Sequence, residues 1–221
     1  MLAAFYDFDG TLVRSNVVTR YAFFARRRPN RIEAAWRYGK TLLGVPVWLA
    51  LDAVSRRLFN EVFYRQYRGL DRGWLDEQAE ALFDEEIRPK ILPGAVELVE
   101  RDQAAGFRTV LVSGGLDFAI APAARHFGFD DVIANKMRFV GGVATGEILP
   151  PLLAEQAKLR AIGDYCAAYN VDSASSKAYS DSLSDAPMLE AVGGPIACNP
   201  DRGLRRLAEQ RGWQILDLTG A

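Results

Sequence analysis

Short apolar runs alternate with helical stretches along most of this chain. The first run covers residues 2–6 and the second 107–112, with others at 132–134, 178–180, 195–198 and 214–218. Each is too short for a helix and has the composition of a strand buried on both faces. Between the runs, apolar positions recur at helical spacing. One helix opens on Pro93-Gly94 and ends at Gly106, and 116–127 is closed by Gly128. Further helices are expected over 153–169, 186–191 and 201–211. Residues 137–148, with Gly141-Gly142 at their middle, have the pattern of a β-hairpin. Strands alternating with helices predict an α/β fold, a Rossmann-like parallel sheet core flanked by helices.

The alternation breaks once. Over 14–90 helical periodicity dominates and strand signals vanish. The chain is therefore expected to divide into a core of 1–13 and 91–221 and an inserted helical cap domain of 14–90. The longest apolar stretch, 41–50 with Pro46 inside it, falls in this insertion. It is well short of the roughly 20 residues needed to cross a bilayer, so no transmembrane segment is expected.

Composition narrows the class. At 221 residues the chain exceeds a typical single domain and falls short of two full-sized ones, which suits a core plus an insertion. A formal net charge of −1 does not advertise nucleic-acid binding. Cys166 and Cys198 lack C-x-x-C spacing, so they read as packing residues in a reduced, cytoplasmic setting. The first residues form a strand, without the charged start of a signal peptide. Charge is unevenly spread: 15 of the 27 Lys and Arg lie in 14–90, against 10 of the 28 acidic residues. The insertion also holds 12 of the 24 aromatic residues. A positive, aromatic insertion above a negative core suggests an anionic ligand or surface.

Reactive groups gather where strands end. The first run leads into Asp7-Phe8-Asp9-Gly10-Thr11, with two carboxylates spaced by two and a glycine that bends the chain away. A buried carboxylate pair serves no packing purpose unless a cation or shared proton compensates. The second strand ends in Ser113-Gly114-Gly115, a loop suited to cradle phosphate with its N–H groups. A third ends in Asp181-Ser182-Leu183-Ser184-Asp185, and Lys158 lies on the helix before it. Strand ends of an open α/β sheet converge on one crevice. Asp7 is a candidate nucleophile, of the kind that forms an aspartyl-phosphate. Magnesium suits a site of few carboxylates plus phosphate and water. Lys136 and Lys177 are the other lysines nearby, and His126 reads as a surface residue.

In this order, Asp7 to Thr11, Ser113-Gly114, Lys158, and Asp181 with Asp185 resemble the motifs of the haloacid dehalogenase-like phosphohydrolases, in particular the branch that contains phosphoserine phosphatases. The resemblance covers essentially the whole chain. It implies a magnesium-dependent phosphatase acting on a small phosphate monoester. It assigns the metal to the Asp7 carboxylate, the Asp9 backbone carbonyl and the Asp181 carboxylate, with Asp185 one shell further out. Asp9 would serve as general acid and then base. Ser113, the Gly114 N–H and Lys158 would hold the phosphate oxygens. Phosphoserine phosphatases carry a glutamate for the substrate amino group where this chain has Asn16, a residue that also suits a helix N-cap. The aromatic insertion, with Trp36, Tyr38, Trp48, Phe63, Tyr64 and Tyr67, points instead to a substrate with an apolar or aromatic portion, phosphoserine being the alternative. A phospho-accepting signalling domain shares the residue types but needs no helical insertion. An exposed aromatic face of the insertion could instead form a dimer contact, marked by burial of Trp48.

Overall fold

The computed structural model describes residues 1–219. Its sheet contains β1 (Ala3–Tyr6), β2 (Arg108–Leu116), β3 (Asp131–Val140), β4 (Val143–Leu149), β5 (Lys177–Ser180), β6 (Gly194–Cys198) and β7 (Gln214–Leu216). Their order is β4-β3-β2-β1-β5-β6-β7, and every pairing is parallel except β3 with β4. The central strand is thus β1, flanked by β2 and β5, and the ends of these three strands carry the predicted motifs.

Alternation along each strand distributes side chains to two apolar layers. Ala3 and Phe5 pack with helices α7 (Gln156–Tyr169), α8 (Ala186–Leu189) and α9 (Arg202–Arg211) on one face. Ala4 and Tyr6 face the layer that includes α5 (Ala95–Ala104) and α6 (Asp117–Phe127). Both faces being covered explains why the strands read as continuous apolar runs. Several expected boundaries move. The sequence-predicted strand at 132–134 and the first arm of the hairpin are one continuous strand, β3, which pairs with β2 early and β4 late. The helix expected from 153 begins at Gln156, after the Pro150-Pro151 pair.

Within 14–90 lie four helices, α1 (Val17–Arg26), α2 (Arg31–Val54), α3 (Arg56–Phe63) and α4 (Arg72–Leu82). The segment's two ends are side by side: the Arg14 N–H donates to the Lys90 carbonyl at 2.8 Å and the Leu92 N–H to the Leu12 carbonyl at 2.9 Å. Most of its aromatic residues form one interior rather than a pocket wall, Trp36 being exposed. Phe63, Tyr64 and Tyr67 are at most 2% exposed, and Trp48 packs edge-on against Phe63. Phe24 and Tyr67 continue that interior onto Phe118 of α6. The helical segment is further stitched to the β3–β4 hairpin by backbone bonds from Gly69 and Arg72.

A buried acid braces the strands that carry the site. Asp102, fully buried on α5, accepts the hydroxyls of Tyr6 and Tyr179 at 2.6 Å and the Lys177 ammonium at 2.6 Å. The two tyrosine rings stack at 4.6 Å, on residues next to Asp7 and two before Asp181. Asp102→Asn presents amide protons to donors that need an acceptor. It should cost about 2–3 kcal/mol in urea unfolding; an unchanged midpoint would contradict this role.

Candidate active site

The chain's carboxylates converge where β1 and β5 stop. Asp7 follows β1 directly, its N–H donating to the Tyr179 carbonyl at 2.9 Å as if the ladder continued. Gly10 then turns the chain with φ +84°, a conformation that glycine adopts without penalty. It is also required by space: a Cβ there would lie 2.0 Å from Asp181 Oδ2. The missing side chain lets the two strand-end acids approach one another. Buried Thr11 spans them, its hydroxyl 3.5 Å from Asp7 Oδ2 and 3.3 Å from Asp181 Oδ1.

Lys158 ties the cluster together. Its Nζ donates to Asp7 Oδ1 at 2.6 Å and Asp185 Oδ2 at 2.7 Å, and the residue is only 4% exposed. Asp185 also accepts from the Ser180 hydroxyl at 2.9 Å. Ion pairing raises the lysine's pKa despite its burial. Lys177 is instead committed to Asp102. His126 packs its ring between Phe83 and Phe127, away from these acids.

One ammonium cannot balance three neighbouring carboxylates. Burial pushes Asp181 up to about 8, helped by Asp7 and Asp185. Burial likewise pushes Asp7 up, to about 6, against the opposing pull of Lys158. The donor set consists of oxygens, and among the described residues no three His, Cys, Asp or Glu side chains form a metal-ligating group. Two carboxylates in negative excess fit a hard divalent ion that completes its shell with backbone, phosphate or water oxygens.

This excess has a sign for stability. Asp7 and Asp181 bind protons more tightly folded than unfolded, so their stabilising contribution is complete below the unfolded carboxylate range. It is lost as pH rises through the folded values, from about 4 to about 8. In chelator, the melting temperature should fall across that window, and a divalent cation should flatten the fall. Asp181→Asn should flatten it without metal. A melting temperature that climbs with pH in chelator would contradict the charge imbalance.

Asp9 occupies a different environment. Arg20 of α1 grips both of its oxygens, Nη1 to Oδ1 at 2.5 Å and Nη2 to Oδ2 at 2.6 Å, and the Ser15 hydroxyl adds a bond at 2.8 Å. Burial alone would raise the Asp9 pKa, but the guanidinium outweighs it and holds the group below its ordinary value. Arg20 was not among the residues expected from sequence. Its signal was a cation on the apolar face of α1, one turn beyond Asn16, where Val17, Tyr21 and Phe24 are buried.

The phosphate loop is a bulge rather than a free loop. Ser113 pairs with Ala134 and Leu116 with Asn135, so Gly114 and Gly115 stand out from β2. The Gly114 carbonyl is fixed from two sides, by Asn135 Nδ2 at 2.7 Å and by the hydroxyl of Tyr64 from the helical segment. Buried Ser113 accepts the Gly115 N–H at 3.0 Å. Asn16 caps α1, bonding the Thr19 N–H at 2.9 Å, and also lines the cavity. That cavity, about 300 Å³, is bounded by Asp7, Asp9, Lys158 and Asp181 below and by Asn16, Arg56 and Asn60 above. Its apolar wall is Val17, Leu153 and Ala154; the aromatic residues expected there are absent from the lining.

The family model of haloacid dehalogenase-like hydrolases matches residues 4–190. The chain belongs to that family. Within it, the chain is a phosphatase of the phosphoserine phosphatase-like branch. It is 34% identical to an inhibition of morphological differentiation protein of Streptomyces azureus, over 97% of this chain and 78% of that one. A phosphoserine phosphatase of Mycobacterium tuberculosis is also 34% identical, over 97% of this chain and 70% of its own length. A crystal structure of a Bordetella pertussis protein of unknown function superposes with a TM-score of 0.82 at 30% identity, covering 98% of each chain. Among the described residues no helix is long and apolar enough to cross a membrane.

Proposed function

We propose that this phosphatase hydrolyses a small, polar phosphate monoester through an aspartyl-phosphate on Asp7, with magnesium as its cofactor. The observation that carries the reading is the buried Lys158 bridge between Asp7 and Asp185, set against Asp181. The lysine can hold a phosphate oxygen and the nucleophile together, while Gly114, the bulge residue that lines the cavity, would offer its N–H to a remaining oxygen, with the Ser113 hydroxyl proton beside it. Magnesium, held by the Asp7 and Asp181 carboxylates and the Asp9 carbonyl, would offset the charge of the two reacting anions.

Asp7 attacks phosphorus, and because Arg20 holds Asp9 ionised beforehand, the proton that leaves with the alcohol comes from the monoanionic ester and is relayed to the departing oxygen through Asp9. Asp9 then takes a proton from the water that cleaves the acyl phosphate. We assign 14–90 as the cap that excludes water during this cycle, with hinges at its paired ends near Val13-Arg14 and Ile91-Leu92-Pro93. Both Arg20 and Tyr64 belong to this segment and bond to Asp9 and Gly114, so its docking completes the site.

The cavity favours a polar alcohol over the aromatic or lipid-like one suggested by composition, because Asn16, Arg56 and Asn60 face it and the aromatic side chains do not. Phosphoserine remains the second reading, supported by the M. tuberculosis relative. A phosphate-release screen over phosphoserine, sugar phosphates and aryl phosphates, with magnesium or chelator, tests both. Polar esters should be preferred and chelator should stop turnover; preference for bulky aromatic esters would overturn the substrate class.

A further inference from the structure

Helix α2 has two apolar faces, and the chain covers one of them. On the inner face Tyr38, Val45, Trp48 and Leu51 pack into the interior of the helical segment, with Ala34 and Thr41 buried on the same side. The outer face repeats the pattern in steps of three and four. Ile32, Trp36, Leu43, Val47 and Val54 are 82%, 61%, 84%, 55% and 78% exposed. Gly39 and Ala50 lie between them in register, and a Cβ at Gly39 would meet no atom within 4 Å. A soluble helix that is apolar all round is one that is buried all round. Trp48, expected to mark a dimer contact, is turned inward, and Trp36 stands in the open face instead.

The sequence of this seam fits itself. Placed antiparallel across a two-fold axis at Leu43, Trp36 of one chain faces Ala50 of the other and Gly39 faces Val47. Ile32 faces Val54, and Leu43 faces its own copy. Large residues meet small ones at two of these steps, Trp36 with Ala50 and Val47 with Gly39, as interdigitation of two helices requires, and branched apolar residues meet at the other two. With Leu42 and Leu49 on its flank, the face exposes seven large apolar side chains along the helix, an extent of the kind one partner brings to a standard interface of about 800 Å² per side. A surface patch of this size is unusual on a monomer.

Charge argues for a second copy over an anionic lipid surface, which attracts clusters of unpaired Lys and Arg. Along the seam the cations are few: Lys40, set over the Trp36 ring, and Arg31 at the first residue of the helix. Nearby Arg26 and Arg27 are paired with Glu86 and Glu85, and Arg37 with Glu33. We propose that α2 is a dimerisation helix, pairing antiparallel with α2 of a second copy of this chain about Leu43.

Sedimentation of the full chain over a concentration series, alone and with Leu43→Glu, tests this. The native protein should sediment as a dimer, and the variant should show half the mass and at least a 100-fold weaker association, since two glutamates would meet on the axis. Leu43 is exposed and remote from the cavity, so melting temperature and phosphate release per chain should not change. Register has its own readout. Leu43→Cys should form a disulfide-linked dimer alone, whereas Trp36→Cys and Ala50→Cys should link efficiently only when mixed. A native monomer at every concentration, a dimer indifferent to Leu43→Glu, or a monomer that pellets with phosphatidylglycerol vesicles would overturn the proposal.

Discussion

Lys158→Met should reduce phosphate release by about 10³-fold or more while lowering the stability of the metal-free protein. The side chain meets Asp7 and Asp185 at hydrogen-bond distance, and all three are almost wholly buried. Removing it takes away a cationic donor for the transferring group, an interaction worth about 10²–10³ in rate by itself. It also leaves Asp7 poorly ionised, because burial, and then its remaining neighbours Asp185 and Asp9, push its pKa upward with no cation opposing them. Breaking a buried pair on one side costs about 3–5 kcal/mol, an upper value here since protonation of the acids relieves part of it. Arginine should not rescue, as its planar fork needs room that a 4% exposed site lacks. Steady-state phosphate release with urea unfolding in chelator checks both effects; retention of a tenth of native turnover would contradict the assignment.

Arg20→Met should lower steady-state turnover on the order of 10²-fold, with the loss concentrated in the second half of the reaction. Native Asp9 is held ionised and by both oxygens, which suits a group that must accept a proton from water. Without Arg20, burial is the dominant influence and the Asp9 pKa rises, so its protonated form gains population. A protonated Asp9 can still donate to the leaving alkoxide but cannot act as base. Rapid quenching should therefore find phosphoenzyme formed at near-native rate and persisting longer than in the native enzyme. Equal slowing of formation and hydrolysis would show that Arg20 acts elsewhere.

How far the sequence revealed these features depended on the range of the interaction. The strand ends carrying Asp7, Ser113, Asp181 and Asp185 were legible because a doubly buried parallel strand leaves an uninterrupted apolar run, and its polar terminus stands out. Lys158 was legible by its place on the helix before the Asp181 strand, although only the fold shows that Lys177 is occupied by Asp102. Arg20 was hidden by its context. Within 14–90 it is one of many arginines, most of which pair on the surface, and its burial follows from docking of α1 onto Asp9. The aromatic residues misled for the same reason. Helical spacing showed that Phe63, Tyr64 and Tyr67 share a neighbourhood but not whether that neighbourhood was a pocket or an interior. Boundaries around Pro150-Pro151 and the bulge at Gly114-Gly115 depend on backbone geometry set by distant pairing partners, Leu153 with Asn135 and Asn135 with Gly114.

The central claim is that the Asp7 carboxylate becomes phosphorylated. Brief incubation with a labelled phosphate monoester and magnesium, an acid quench and peptide mapping test it most directly. The account predicts an acid-stable, hydroxylamine-labile label on the peptide containing Asp7, absent from Asp7→Asn along with turnover. Label on another residue, or native phosphate release by Asp7→Asn, would contradict it.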